Sequence, residues 1–227
     1  MKYLVVLFDL DHTLMDSDAS AQAAFDLTMR SVDVSPSDEV FATYDRLNQA
    51  LWRRVEAGDI SPNEVKVRRF EQLLDELGVD GDADEMGATF VQALTDHGEL
   101  YSGARELLDG LLGRARLAMV TNGIGPVQRG RLLRLDIGRY FETVSISGEL
   151  SMNKPAASIF DHTLLELGVA DRSSVVMVGD SLSSDIAGGI NAGIDTIWFN
   201  PHGSTAGATA PTHEASSLEV IAGLLAC

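Results

Sequence analysis

The amino-acid sequence predicts an α/β fold, in which a parallel sheet is covered by helices on both faces and carries an inserted all-helical segment. From Ser102 onward, short apolar runs alternate with helical patterns, and this alternation is typical of a parallel sheet. Between Ser17 and Gly98 the periodicity is helical throughout. We therefore expect a core of residues 1–16 and 99–227, interrupted by a helical cap of residues 17–98.

The first strand is predicted from five apolar residues, Leu4 to Phe8, that run directly into Asp9, with Asp11 following after one spacer. A continuous apolar run of this length is typical of a strand buried on both faces. Residues two apart share a face in an extended chain, so we expect both carboxylates to converge on one ligand. Such a pair suits a nucleophile beside a general acid/base, although either residue alone could equally belong to a turn.

About four helices are predicted within the insertion. One is indicated by apolar residues at spacings of three and four: Val40, Tyr44, Leu47, Leu51 and Val55. The tetrapeptide from Ser61 to Glu64 supplies an N-cap, a proline at the first helical position and the glutamate of a capping box. An amphipathic stretch from Ala83 to Leu94 ends the region.

The second half of the chain supplies the remaining elements of the sheet. Its predicted strands are Arg116–Val120, Val144–Ile146, Val175–Val178 and Thr196–Phe199. Each is followed by a helical pattern or a loop, and the last helix is expected from Ser217 to Leu225. The carboxyl ends of parallel strands lie at one edge of the sheet, which is where open α/β sheets bind ligands.

Polar residues stand at these strand ends and helix starts. Asp9, Asp11 and Asp180 offer carboxylate oxygens, the ligands that Mg²⁺ prefers, and the ion could neutralise a phosphoryl group for attack by an anion. Thr121 offers a hydroxyl, and the N–H groups of Asn122 and the following glycine precede a helix, which is a typical anion site.

Lys154 and Asp185 complete the predicted site. The lysine can hold a phosphate oxygen as charge develops, and Asp185 could orient the lysine or a metal-bound water. Taken singly, Thr121 could cap a helix, Lys154 could be a solvated lysine, and the aspartates could cap turns. Their occurrence together, each at an element boundary, favours the functional interpretation.

Charge and composition limit the possible partners. Seventeen basic against 34 acidic residues give a net charge of −17, which disfavours binding to nucleic acid polymers and anionic membranes. No apolar run reaches the roughly 18 residues of a membrane span, and no signal peptide is apparent. We therefore expect a cytoplasmic protein. The single cysteine, Cys227, excludes an intrachain disulfide, which agrees with a reducing compartment.

The ordered residues resemble the four signature motifs of the haloacid dehalogenase-like hydrolases. These are Asp9-Leu10-Asp11-His12-Thr13, Thr121, Lys154-Pro155, and Gly179-Asp180 with Asp185. The resemblance implies a Rossmann-like core, a helical cap of the C1 type, a magnesium ion and an aspartyl-phosphate intermediate.

The resemblance also implies a role for each residue. Asp9 is the nucleophile and a metal ligand. Asp11 protonates the leaving oxygen and activates water, and its backbone carbonyl binds the metal. Asp180 is the other metal ligand. Thr121, Asn122 and Lys154 hold the phosphate, with Asp185 supporting the site from behind the ligands. The dehalogenases lack the second aspartate, so Asp11 points to phosphoryl chemistry.

A finer resemblance, through Thr121-Asn122-Gly123, Gln128-Arg129 and Arg131-Leu132 among other segments, is to the house-cleaning pyrimidine 5'-nucleotidases. It implies a small phosphorylated metabolite as substrate, specifically a nucleoside 5'-monophosphate, acted on by a monomer or homodimer. A sugar-phosphate or phosphoglycolate phosphatase, a phosphomutase and a catalytically silent binding protein remain alternatives. Trp52 in the cap could stack on a base or lie at the edge of the core. The basic residues of the cap could face the substrate or form a solvated surface; they are Arg53, Arg54, Lys66, Arg68 and Arg69.

Overall fold

The computed structural model describes residues 2–226, so the lone cysteine, Cys227, lies outside the described residues. Its sheet has six parallel strands in the order β3-β2-β1-β4-β5-β6. The strands are β1 (Val5–Phe8), β2 (Arg116–Thr121), β3 (Thr143–Ile146), β4 (Val175–Gly179), β5 (Asp195–Phe199) and β6 (His213–Ala215). The predicted parallel sheet is confirmed.

The central strand β1 pairs with β2 on one side and β4 on the other. Its side chains alternate between two apolar layers: Val6 and Phe8 lie in one, Val5 and Leu7 in the other. This burial on both faces explains the uninterrupted apolar run. Leu4, expected in the strand, precedes it and is 55% exposed.

Helices cover both faces of the sheet. Those of the core are α5 (Ala104–Leu111), α6 (Gly125–Arg134), α7 (Ser147–Leu150), α8 (Ala157–Glu166), α9 (Ala187–Asn191) and α10 (Leu218–Ala226). Helices α5, α6 and α10 contribute to the layer that contains Val6, and α8 packs in the opposite layer. No helix within residues 2–226 has the length and apolar character needed to cross a membrane.

Four helices lie between β1 and α5. They are α1 (Ser17–Ser31), α2 (Asp38–Glu56), α3 (Pro62–Leu77) and α4 (Ala83–Asp96), and we call them the helical insertion. The predicted capping box opens α3: the Glu64 N–H donates to Ser61 Oγ, and the Ser61 N–H donates to Glu64 Oε2 at 2.8 Å. Aromatic side chains, among them Phe25 and Phe70, pack with aliphatic ones into a cluster of its own. The predicted insertion is therefore helical and has a separate apolar core.

Two further features differ from the sequence prediction. The edge strand β6 has only three residues, His213–Ala215, too few for a recognisable apolar alternation. The helix expected from Ser184 begins as a π-helical turn, Leu182–Ile186. In that turn the Ile186 N–H donates to the Ser181 carbonyl at 3.1 Å, the five-residue spacing that often marks a functional site.

Candidate active site

The carboxyl ends of the three central strands bring the predicted residues to one edge of the sheet. Asp9 follows β1, Thr121 ends β2, and Asp180 follows β4, and these strands are neighbours. The Asp9 N–H donates to the Val178 carbonyl at 3.0 Å, which continues the ladder and fixes the Asp9 backbone. Parallel pairing alone thus places residues that are far apart in sequence beside one another.

Lys154 lies at the centre of this edge and is almost fully buried. Its Nζ donates to Asp9 Oδ1 at 2.6 Å, to Asp185 Oδ1 at 2.6 Å and to the Val120 carbonyl at 2.8 Å. Burial by itself lowers the pKa of Lys154, but Asp185 and Asp9 outweigh burial and raise the pKa above its usual range. All three donors of the ammonium are therefore used, and the lysine is a fixed positive charge.

Asn122 fixes the backbone that carries Lys154. Its Nδ2 donates to the Lys154 carbonyl at 2.8 Å, and its Oδ1 accepts from the Lys154 N–H at 2.8 Å. The side chain is thus occupied in positioning the lysine, so any contact with phosphate falls to the Asn122 backbone. The Gly123 N–H, expected at the anion site, instead donates to Ser147 Oγ at 3.1 Å.

Three carboxylates converge beside the lysine. Oxygens of Asp9, Asp180 and Asp185 lie within 4.8 Å of one another. Burial raises the pKa of Asp9 well above its usual value, although Lys154 opposes the shift. Burial, reinforced by Asp185, raises the pKa of Asp180 to about 7. One ammonium does not balance three carboxylates, so this oxygen-rich set fits a divalent cation such as Mg²⁺.

Asp180 and Asp185 are each held by the elements around them. The Asp180 N–H donates to Thr13 Oγ1 at 3.1 Å, and its carbonyl accepts from Trp198 Nε1 at 2.8 Å. Asp185 Oδ2 accepts from the Ser181 N–H at 3.0 Å. A Cβ on Gly179 would lie only 2.2 Å from Asp185 Cγ, so the glycine before Asp180 is required for Asp185 to approach the site.

Asp11 does not share the partners of Asp9. Its carboxylate accepts from Ser17 Oγ at 2.5 Å, Gln128 Nε2 at 2.7 Å and Arg131 Nη1 at 2.7 Å. Burial raises the pKa of Asp11, but Arg131, followed by the other two partners, outweighs burial and holds the pKa below its usual value. The prediction of a shared face assumed an extended chain, but β1 ends at Phe8 and a turn at His12–Leu14 follows Asp11.

Arg131 joins Asp11 to the helical insertion. Besides Asp11 it donates through Nη2 to Ser20 Oγ on α1 at 3.0 Å and through Nε to the Leu94 carbonyl on α4 at 3.0 Å. Gln128, one turn earlier on α6, also donates to Thr121 Oγ1 at 2.8 Å. In the sequence, Gln128 and Arg131 contribute only to the resemblance to the nucleotidases. The pattern that could have identified them as site residues is their spacing: they are polar, three residues apart, and therefore on one face of the helix that follows Thr121.

A cavity of about 680 Å³ lies between the helical insertion and the core. Asp11, Gln128 and Arg131 line it from the core, while Tyr44 and Arg69 line it from the insertion. The cavity therefore connects the predicted acid/base to the helices that could contact the rest of a substrate.

Comparison with known proteins identifies the family. The sequence model of the protein family described as haloacid dehalogenase-like hydrolase matches residues 6–199 of this chain. The chain belongs to this family. It is similar to the pyrimidine 5'-nucleotidase PynA of Streptococcus pneumoniae, with 38% identity over 89% of this chain and 86% of the relative. It is also similar to the pyrimidine 5'-nucleotidase YjjG of Escherichia coli, with 36% identity over 99% of both chains.

A solved structure supports the same assignment. The haloacid dehalogenase-like hydrolase YfnB of Bacillus subtilis, bound to magnesium, superposes with a TM-score of 0.93 over 100% of both chains at 30% identity. The predicted family and fold class, including a helical insertion of the cap type, are thereby confirmed. The roles of the individual site residues stay predictions.

Proposed function

We propose that this hydrolase is a magnesium-dependent phosphomonoesterase that acts on nucleoside 5'-monophosphates through an aspartyl-phosphate intermediate. The observation that carries the proposal is the buried Lys154 ammonium, bound by Asp9 and Asp185 beside Asp180. Similarity to PynA and YjjG supports a nucleotide substrate. In this proposal residues 1–16 and 99–227 form the catalytic core, and residues 17–98 act as its cap.

Asp9 and Asp180, with the backbone carbonyl of Asp11, would hold the magnesium ion. When bound, the ion would offset the negative charge of carboxylates and phosphate so that an anionic nucleophile can approach phosphorus. Thr13 supports this set by accepting the Asp180 N–H. Lys154 would orient Asp9 and Asp185 and attract phosphate oxygens through its fixed positive charge, while the Thr121 hydroxyl would hold them as charge develops on them.

The chemistry proceeds in two displacements. An Asp9 oxygen attacks phosphorus, the bond from phosphorus to the ester oxygen breaks, and Asp11 donates a proton to the departing alkoxide. Asp11 then takes a proton from the water that attacks the aspartyl phosphate, which releases phosphate and restores Asp9. Because Arg131 favours the ionised form of Asp11, Asp11 must gain its proton in the substrate complex before it can act as the acid.

The test is the Asp9→Asn variant with p-nitrophenyl phosphate and Mg²⁺. We expect turnover to fall by at least about a thousandfold, with unchanged circular dichroism, and the wild-type activity to disappear when a chelator removes the metal. Undiminished turnover by Asp9→Asn would refute the assignment. A panel of nucleotides and sugar phosphates then separates the nucleotidase from a sugar phosphatase, and interconversion of sugar phosphates without phosphate release would identify a mutase.

A further inference from the structure

Arg69 in α3 is a buried cation whose partners within residues 2–226 are all neutral. It is 2% exposed. Its Nε donates to the Val65 carbonyl at 2.9 Å, its Nη1 donates to the Tyr44 hydroxyl at 3.2 Å, and its guanidinium lies 5.0 Å from the centre of the Phe90 ring. Its Nη2 is buried and has no hydrogen-bond partner in the described chain. Burying such a donor is costly unless a ligand accepts from it.

Asn48 in α2 supplies the complementary atom. Its Oδ1 is also buried without a partner among the described residues. Asn48 lies one helical turn after Tyr44, and residues four apart share a helix face, so the amide stands beside the tyrosine that contacts Arg69. Both Asn48 and Arg69 line the cavity that reaches Asp11. One unpaired donor and one unpaired acceptor therefore belong to the wall of a single cavity.

The position of this pair defines the size of a suitable ligand. Glu56, at the end of α2, interacts with Ser183 of the core and lies near Lys154 and Asp185. Asn48 precedes Glu56 by eight residues, which is about 12 Å along a helix axis. A substrate whose phosphate sits at Asp9 must extend well beyond a three-carbon ester to contact Asn48. A nucleoside 5'-monophosphate has the required length.

We infer that Arg69 and Asn48 recognise the base of a uracil or thymine nucleotide. A ring carbonyl oxygen would accept from Arg69 Nη2, and the adjacent ring N–H would donate to Asn48 Oδ1. A second anionic group would satisfy Arg69 but would place negative oxygens against the acceptor of Asn48, so the pair favours a neutral edge with a carbonyl beside an N–H. Guanine has such an edge too, and similarity to the pyrimidine 5'-nucleotidases PynA and YjjG favours the pyrimidine. Trp52 and Tyr44, which line the same cavity, provide aromatic surface for the flat ring.

This inference rests on the proposed function, and its test compares UMP with ribose 5-phosphate, which lacks the base. In Asn48→Leu and Arg69→Met we expect the ratio of kcat/KM for UMP to that for ribose 5-phosphate to fall about ten- to hundredfold. The control is Arg46→Met, which removes an arginine of α2 that pairs with Glu76 outside the cavity. In the control this ratio should stay at the wild-type value.

The outcomes separate the inference from the proposed function. If both cavity variants lower the two kcat/KM values equally, or if the wild-type enzyme does not prefer UMP, base recognition by this pair is refuted while the phosphatase assignment stands. If the wild-type enzyme hydrolyses no phosphate ester, p-nitrophenyl phosphate included, the proposed function itself fails. Should Arg69→Met not fold, Arg69→Lys and Asn48→Leu decide the question, and an unchanged ratio in both refutes it.

Discussion

Two of the buried cations among residues 2–226, Lys154 and Arg69, have contrasting surroundings. At the sheet edge, Lys154 donates to three acceptors, two of them carboxylates. In the helical insertion, Arg69 has neutral partners and a nitrogen without one among the described residues. The first group is complete before a substrate arrives, as preorganised catalysis requires. The second leaves hydrogen-bonding capacity for a ligand. In the proposed function, fixed catalytic groups and substrate-selecting groups therefore occupy separate parts of the molecule.

The largest effect is expected from Lys154→Met, which breaks the complete group. Removal of the ammonium leaves Asp9 and Asp185 buried without their shared partner, so unfolding free energy should fall by about 3–5 kcal/mol and turnover should be lost. Urea denaturation measures the first quantity. Lys66→Met, in the insertion, is the control and should change stability by less than about 0.5 kcal/mol. A Lys154 variant as stable as the control would contradict the ion-pair account.

A smaller, more selective effect is expected where the two regions meet. Arg131→Gln removes the guanidinium that holds Asp11 and contacts Ser20. Since a positioned acid matters most for a poor leaving group, kcat/KM for an alkyl phosphate should fall about ten- to hundredfold more than for p-nitrophenyl phosphate. Asp11→Asn should show the same selectivity.

Arg134→Gln is the matched control for that experiment. Arg134 lies on the same helix and donates to carbonyls at the end of the insertion, including that of Thr95 at 3.0 Å, and its partners do not include Asp11. Its removal should affect both esters equally. If the Arg131 and Arg134 variants change the ratio of kcat/KM for the two esters equally, Arg131 only holds the insertion against the core.

The smallest effect is expected from Ser147→Ala, which tests the hydrogen bond between Ser147 and the Gly123 N–H at the edge of the site. The variant leaves the buried Gly123 N–H without its acceptor, so stability should fall by about 1–3 kcal/mol. Ser145→Ala is the comparison, because the Thr163 hydroxyl that contacts Ser145 also bonds the Ile159 carbonyl and keeps a partner. Thermal unfolding of the two variants should rank Ser147→Ala as the less stable; the reverse order would mean that the Gly123 bond contributes little.

Much of the arrangement at the carboxyl edge of the sheet was predictable because it follows from local patterns. An apolar run that ends in Asp9, and another that ends just before Asp180, predict buried parallel strands, and the geometry of such a sheet brings their ends together. The capping box at Ser61 was predictable for the same reason, since all of its partners lie within one helical turn. The presence of Lys154 at this edge was also predictable, because the residue stands just before a helix.

The sequence by itself determined the family, the parallel sheet and the residues at its carboxyl edge. Only the tertiary structure decided that Asp11 pairs with Arg131, 120 residues away, and that Arg69 is buried against Tyr44 rather than solvated. The physical reason is that a side chain's partners depend on which surfaces pack together. Strand ends are aligned by the backbone, whereas contacts between the insertion and α6 arise from packing that no local periodicity specifies.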